Sequence, residues 1–301
     1  MDRLEAMSTL LAVVEAGSLS AASRMLKVPL ATVSRRVSDL EAHLRTRLVV
    51  RTSRRLMLTD AGRSYVAACR QILEQVGDAE REAAGEYSAP KGELIITAPI
   101  VFGRLHVLPV VVAFLEAYPE IDIRLMLADR VINLQEDHVD LAVRIGELPD
   151  SSLVVRNVGS IGRVVCGGSA YLAKHGMPRT PSELSRHDCV TFAGLTSSSA
   201  WIFGIGKSAR SVPVHSRLVV NTAEAALDAA VAGVGITRVL SYQAAAAINA
   251  GTLVRILREF EPRPAPVHLV HAGQGLLPLK LRAFVEFAAP RLKAGLAQLM
   301  A

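Results

Sequence analysis

Residues Ser18 to Thr59 limit what this chain can fold into more than any other stretch. Apolar residues recur at Val33, Val37, Leu40 and Leu44, a 4-3-4 spacing that buries one stripe of a helix. Ser34, Arg35, Arg36 and Ser38 between them must then point outward. Ahead lies Ser20-Ala-Ala-Ser-Arg-Met-Leu, with Ala21, Ala22, Met25 and Leu26 as its expected inward face. Lys27-Val-Pro29 leaves room only for a sharp turn. Small alanines let the second helix cross the first closely, which is helix-turn-helix geometry. A helix held this way presents Leu30, Ala31, Thr32, Ser34 and Arg35 to a major groove. A helical hairpin with a solvated basic face gives the same pattern, and charge separates the two readings.

The net charge of +6 is unevenly spread: residues 1–70 hold 12 Lys+Arg against 6 Asp+Glu, leaving 22 against 22 from the chain's 34 and 28. The whole surplus lies with the helix-turn-helix pattern, which favours a polyanion there and an electrically balanced remainder. Arg45, Arg47, Arg51, Arg54 and Arg55 crowd the loop after the second helix. A cationic membrane-surface helix is the rival, but these arginines interrupt a β-like run and have no apolar helical face beside them.

A first helix is signalled by Leu4, Met7, Leu10, Leu11 and Val14 and closed by Gly17. Val49 to Leu58 reads as a two-stranded wing, and Thr59 as the N-cap of a long helix running to about Tyr87. That helix carries a seam at Ala61, Tyr65, Cys69, Ile72, Val76, Ala79 and Ala83. The seam packs either on the chain's own core or on a partner helix, and a small head is not expected to cover its length. Ser88-Ala-Pro-Lys-Gly is a linker. Beyond Glu93 strands and helices alternate: Leu94–Thr97, a helix near Arg104–Ala117, Asp122–Leu127, a short helix Asn133–Val139 and a strand from Asp140. A comparable unit comes next, with strands at Arg163 and Leu218, helices Ala170–His175 and Thr222–Ala232, a strand Val267–His271 and a last helix Leu279–Leu296. This is the grammar of parallel, helix-covered sheets in two lobes with a cleft between them.

Three scattered cysteines, Cys69, Cys166 and Cys189, fit neither a disulfide framework nor a zinc site, and no opening stretch reads as a signal peptide. A reducing cytoplasm is the expected compartment. Apolar runs such as Val107–Leu115 and Ala225–Ile236 read as too short or too interrupted to span a bilayer. Catalytic signatures fail on inspection. Gly204-Ile-Gly-Lys-Ser has Trp201 where a phosphate loop needs its first glycine, and Gly233-Val-Gly-Ile-Thr ends in Arg238, not a third glycine. His268 and His271 fall on opposite faces of a strand, and no Gly-x-Ser-x-Gly occurs. No cofactor, metal or enzymatic activity is expected.

Together these residues resemble the LysR-type transcriptional regulators across essentially the whole chain. The resemblance rests on Leu10-Leu-Ala-Val-Val-Glu-Ala-Gly-Ser-Leu-Ser-Ala-Ala-Ser-Arg-Met-Leu, Val33-Ser-Arg-Arg-Val-Ser-Asp-Leu-Glu and Arg51-Thr-Ser-Arg-Arg-Leu-Met-Leu-Thr-Asp-Ala-Gly. Thr97-Ala-Pro, Phe102-Gly-Arg-Leu, Asp140-Leu-Ala-Val-Arg-Ile-Gly-Glu-Leu and Ala170-Tyr-Leu-Ala-Lys-His-Gly extend it. It implies a multidomain protein: an all-α winged helix-turn-helix over 1–59, a dimerising linker helix over 60–89, and an α/β effector-binding domain over 90–301. That domain would be two-lobed like periplasmic binding proteins, with lobe one at 90–162 and 267–301 and lobe two at 163–266. Two departures stand out. The family commonly has Ser-Gln-Pro where this chain has Pro29, Leu30 and Ala31, so an adenine reader becomes an apolar side chain suited to a thymine methyl. A hydroxyl common in the related branch is Val101 here.

On this reading Thr32, Ser34 and Arg35 reach base edges or phosphates, Arg36 and Arg47 clamp phosphates, and Arg51, Arg54 and Arg55 contact backbone or minor groove. The cleft would be lined by Pro99, Ile100, Val101 and Phe102, by Arg144 and Ile145, and by Thr191, Thr196, Asn221 and Thr222. The turn after the first strand would offer helix N–H groups to an acceptor. Arg144 serves either as ligand counter-ion or as partner to one of the chain's own carboxylates. The expected partners are double-stranded promoter DNA, a small effector of aromatic character, and further copies of the chain in a homodimer or homotetramer, with no membrane. A transport-type binding protein fused to a helical module is the main alternative, and an enzyme a distant one.

Overall fold

The computed structural model describes residues 2–51, 56–83, 89–130, 133–134, 137–148, 153–192, 200–206, 209–272 and 277–300. The chain divides into two compact units, one of Met1–Pro90 with the short segments Gln135–His138 and Gln274–Arg282, the other of Lys91–Leu134, Val139–Gly273 and Ala283–Ala301.

In the first unit, α1 (Arg3–Ala16), α2 (Leu19–Leu26) and α3 (Leu30–Leu44) precede the wing strands β1 (Val49–Arg51) and β2 (Leu56–Leu58) and the long α4 (Asp60–Ala83). The chain's own polar residues start these helices. Asp2 and Ser18 accept from first-turn N–H groups of α1 and α2, and Gly17 closes α1 at φ 70°. Ala6, Leu10, Val13, Ala22, Val33, Val37, Leu40, Leu48 and Val66 form one core. Two inward faces differ from the sequence expectation. Leu4 is 42% exposed and Met25 48% exposed. Ala6 and Val13 join Leu10 on the inner face of α1, with Leu11 and Val14 packed beside them, and Leu19, Ala22 and Leu26 line α2 at a 3-4 spacing. Tyr65 and Val66 of α4 pack into this core, and Cys69 is buried, so the head covers the start of the α4 seam. Ile72 is 39% exposed, so the outer side of the seam begins there.

The second unit holds two sheets. β3 (Gly92–Ala98) leads into a continuous helix made of α5 (Ile100–Phe102), a π-helical turn (Gly103–Val107) and α6 (Leu108–Ala117). β4 (Ile121–Leu127), β5 (Leu141–Ile145) and β6 (Leu153–Ile161) come after it. The chain then builds β7 (Arg163–Gly168), α7 (Ser169–His175), β8 (Asp188–Phe192), the β9–β10 hairpin (Ala200–Phe203 with Arg210–Pro213) and β11 (His215–Val220). Next come α8 (Ala223–Val231), β12 (Ile236–Leu240), α9 (Ser241–Asn249) and β13 (Leu253–Ile256). β14 (Ala265–Ala272) and α10 (Leu279–Met300) close the chain. Lobe one carries the order β4-β3-β5-β14-β6 and lobe two β11-β8-β12-β7-β13.

Each sheet is mixed, not parallel throughout. β3 runs parallel to β4 and β5, but β14 is antiparallel to β5 and β6, and β7 antiparallel to β12 and β13. The crossings impose this: β6 leaves lobe one while β14 returns to it. The expected helix at Asn133–Val139 does not form among the described residues. Leu134, Asp137 and His138 lie in turns, and His138 takes φ 53°, which a right-handed helix cannot continue through. The fused helix Ile100–Ala117 reaches mean hydropathy 1.8 over 18 residues, long and apolar enough to cross a bilayer, contrary to the shorter run read from sequence. Here Phe114 is packed edge-on against Phe284 and Phe287 of α10.

Candidate functional site

In the head, α3 buries Val33, Val37 and Leu40 and turns out Leu30, which is 46% exposed, with exposed Ala31 and Arg35 and half-buried Thr32 and Ser34 beside it. Pro29 precedes α3 without a side-chain cap, so no side chain occupies its first turn. Arg36, expected as a phosphate clamp, has a partner within the head. It is ion-paired with Glu5 of α1, because a residue three positions after buried Val33 stands at the flank of the stripe, within reach of the neighbouring helix.

The wing is set by Glu41, which sequence reading passed over. Its Oε1 accepts the Leu48 N–H at 2.7 Å and the Val49 N–H at 3.0 Å, tying the first wing strand to the end of α3. Thr59 donates to the Arg47 carbonyl at 2.7 Å and accepts from the Gly62 N–H at 2.9 Å. Gly62 is required there, since a Cβ would stand 2.0 Å from the Leu48 carbonyl oxygen. Arg47 is exposed on this loop and Arg51 ends β1. Arg54 and Arg55 lie outside the described residues. Cross-strand partners Val50 and Met57 are exposed apolar residues on the wing.

In the second unit, the carboxyl ends of β3, β4, β5, β8, β11 and β12 bring most of the expected cleft residues to the facing ends of the two sheets, where open α/β sheets take ligands. Pro99 and Ile100 are half-buried, whereas Val101 and Phe102 are enclosed. Phe102, His106 and Tyr242 make a three-ring cluster across the lobes, with centroids 4.9 Å, 5.6 Å and 5.4 Å apart. The π-helical turn sets His106 in that cluster. His106 Nε2 and the Tyr242 hydroxyl are buried with no hydrogen-bond partner among the described residues. Burial holds the His106 imidazole below its ordinary pKa, and burial followed by the Asp129 charge pushes the Tyr242 phenol up.

At the helix start after β3, one of the N–H groups is already engaged by the chain itself. The Asp129 carboxylate accepts the Ile100 N–H at 3.0 Å. Arg144 and Ile145 end β5, half-buried, with Arg144 opposite His268 in the ladder. Thr191 is bonded to Ser216 at 2.8 Å, and Thr222 caps α8 by accepting from Ala225 at 3.2 Å. Asn221 is exposed, and Thr196 lies outside the described residues. Asp129, His106 and Tyr242 were not singled out by sequence, because only the fold brings them together. Near the crossings, Ser241 donates to the Gly162 carbonyl and Gly146 to the Pro266 carbonyl, each at 2.8 Å. Among the described residues no group of His, Cys, Asp or Glu is placed to hold a metal.

A family profile described as "Bacterial regulatory helix-turn-helix protein, lysR family" matches residues 4–63, and one described as "LysR substrate binding domain" matches residues 88–293. The chain belongs to the LysR family of transcriptional regulators. An HTH-type transcriptional repressor of Pseudomonas aeruginosa is 35% identical over 289 residues, covering 95% of this chain and 91% of its own. The HTH-type transcriptional activator AaeR of Escherichia coli is 31% identical, covering 95% and 93%. The solved structure of CrgA, a LysR-type regulator from Neisseria meningitidis, aligns at a TM-score of 0.61 with 30% identity, covering 96% of this chain and 98% of its own. This LysR-family chain is therefore a transcriptional regulator with an effector-binding domain. Its relatives are named regulators, which points away from the transport-protein reading and from catalysis.

Proposed function

We propose that this regulator reads promoter DNA with Leu30, Ala31, Thr32, Ser34 and Arg35 at the bases, and holds phosphates with Arg36, Arg47, Arg51, Arg54 and Arg55. The outward row on α3, beside a wing fixed by Glu41, carries this reading. Residues 1–59 form the reading head, 60–89 the dimerising linker, and 90–301 the effector domain, with 163–266 as its second lobe. The protein acts as a homodimer or homotetramer in the cytoplasm. Exposed Ile72 on α4, and Leu105, Leu108 and Val112 on one helix face of lobe one, support self-association.

The effector is a small, partly apolar molecule of aromatic character, held between the lobes near Pro99, Ile100, Val101, Phe102, Arg144, Ile145, Thr191, Thr196, Asn221 and Thr222. The buried ring cluster and the two unpartnered polar atoms beside it support this. Footprinting on DNA upstream of its own and adjacent genes, with aromatic acids, phenols and quinones set against sugars and amino acids, tests both halves. A protected inverted repeat whose occupancy changes with an aromatic compound is expected. Occupancy that answers only to sugars or polar amino acids would refute the effector assignment. Arg54→Ala with Arg55→Ala should lower the salt slope by roughly 0.9 per lost phosphate contact on every sequence. Arg35→Ala should instead relax preference at one base position by about 1–3 kcal/mol.

A further inference from the structure

Strands β7 and β12 are antiparallel neighbours, with Arg163 opposite Leu240 and Val165 opposite Arg238. Alternation places Arg163, Val165, Ile236 and Arg238 on one face of the sheet, and Val165 and Ile236 pack there with Trp201 and Phe203 of the hairpin. The Arg238 guanidinium lies over the Trp201 ring, 5.3 Å from its centroid, and its Nη1 donates to the Ile202 carbonyl at 3.1 Å. One ring and one carbonyl thus fix the plane of a group with five N–H donors. No ion pair joins Arg163 or Arg238 to a carboxylate among the described residues.

The electrostatics make this arrangement costly. Burial, and then the like charge of Arg163, lower the Arg238 pKa to about 10. Burial lowers that of Arg163 as well, although its side chain is open to solvent. The two arginines stand where β12 ends and β7 begins, the end of the sheet that faces lobe one, while Arg144 on lobe one already has a partner. A pair of cations held together without a counter-ion calls for an anion from outside.

We propose that Arg163 and Arg238 form an oxyanion subsite in lobe two, which takes a carboxylate or phosphate group of the effector while Trp201 holds the Arg238 fork in place. Guanidinium forks match both groups bidentately. This assignment rests on the reading that the second unit binds a small-molecule effector. It moves the anion-recognising group from Arg144, the sequence candidate, to the other lobe.

Trp201 is the chain's one tryptophan, so its fluorescence reports this subsite directly. The full chain is titrated with benzoate, succinate and inorganic phosphate at constant ionic strength, with chloride as the control. At least one oxyanion should change Trp201 emission saturably and raise the melting temperature, and the three arms separate carboxylate from phosphate. Arg163→Gln, at an exposed position, and Arg238→Gln should each weaken that binding at least tenfold. Arg238→Lys should fall between Gln and wild type. Emission that ignores all three anions overturns the subsite, as does unchanged affinity in Arg163→Gln. A neutral aromatic that raises the melting temperature while the anions do nothing overturns the subsite and leaves effector binding standing. Anion binding that survives both substitutions has the same meaning.

Discussion

Glu41 offers the sharpest test of how the head is built. Its Oε1 serves two backbone N–H groups, from Leu48 and Val49, both of which belong to buried residues. A hydrogen bond to a charged group is worth about 1.5–3 kcal/mol, and a buried donor left unmet costs about 1–3 kcal/mol. Glu41 itself is half-buried, so water recovers part of the loss in Glu41→Ala, and about 2–4 kcal/mol of local stability should go. At 1.4 kcal/mol per tenfold, amide exchange at Leu48 and Val49 should quicken by about 30-fold to about 700-fold. Hydrogen exchange of the full chain reads this directly. Glu41→Gln keeps an acceptor oxygen and should lose much less. DNA affinity should fall with the wing, while exchange in the second unit stays unchanged. Unaltered exchange at Leu48 and Val49 in Glu41→Ala would refute the reasoning, and so would a glutamine variant as damaged as the alanine one.

Three other variants probe separate parts of the chain. Gly62→Ala, whose Cβ would meet the Leu48 carbonyl at 2.0 Å, should destabilise the head by about 1–3 kcal/mol in chemical denaturation. His106 and His187 are both held below the ordinary imidazole pKa, chiefly by burial. As pH falls below about 6.5 the unfolded chain binds protons that the folded chain refuses, so stability drops until the folded pKa values are passed, and His106→Phe should flatten part of that slope in melting curves. Ile72→Asp with Val76→Asp should give monomers with poor operator affinity, and sedimentation showing unchanged dimers would place the seam elsewhere.

What the sequence made legible was local and periodic. Val33, Val37 and Leu40 announce the buried stripe of α3, and Thr59 its role as cap, because both depend on neighbours within one turn of helix. Part of the strand set was legible too, but β6, β8, the β9–β10 hairpin and β13 were passed over, and so was the direction of β14, which depends on where the chain has been in between. Met25 was misplaced because a helix of eight residues shows too few turns to choose between adjacent faces. The helix expected at Asn133–Val139 failed on the left-handed backbone of His138, which composition does not announce. Glu41 with Leu48, Asp129 with Ile100 and Phe102 with Tyr242 join residues from 7 to 140 positions apart, and only tertiary structure couples them.

Both halves of the chain engage their own carboxylates at the positions where a sequence reading places an anionic partner, and burial decides whether that partner can still enter. The Arg36–Glu5 pair is partly exposed, at 23% and 53% of the two side chains, so it is worth at most about 1 kcal/mol and a DNA phosphate can displace it. It orients Arg36 without withholding it. The Asp129 carboxylate on the Ile100 N–H is half-buried, and displacing it would leave its charge without this donor beside the enclosed Tyr242. The Ile100 N–H is therefore harder for an incoming anion to claim than Arg36 is. In the effector unit Trp201 holds the Arg238 guanidinium, and no carboxylate among the described residues answers Arg163 or Arg238. The anion subsite proposed for the second unit accordingly rests on strand-borne arginines of lobe two, while in lobe one Asp129 holds the Ile100 N–H.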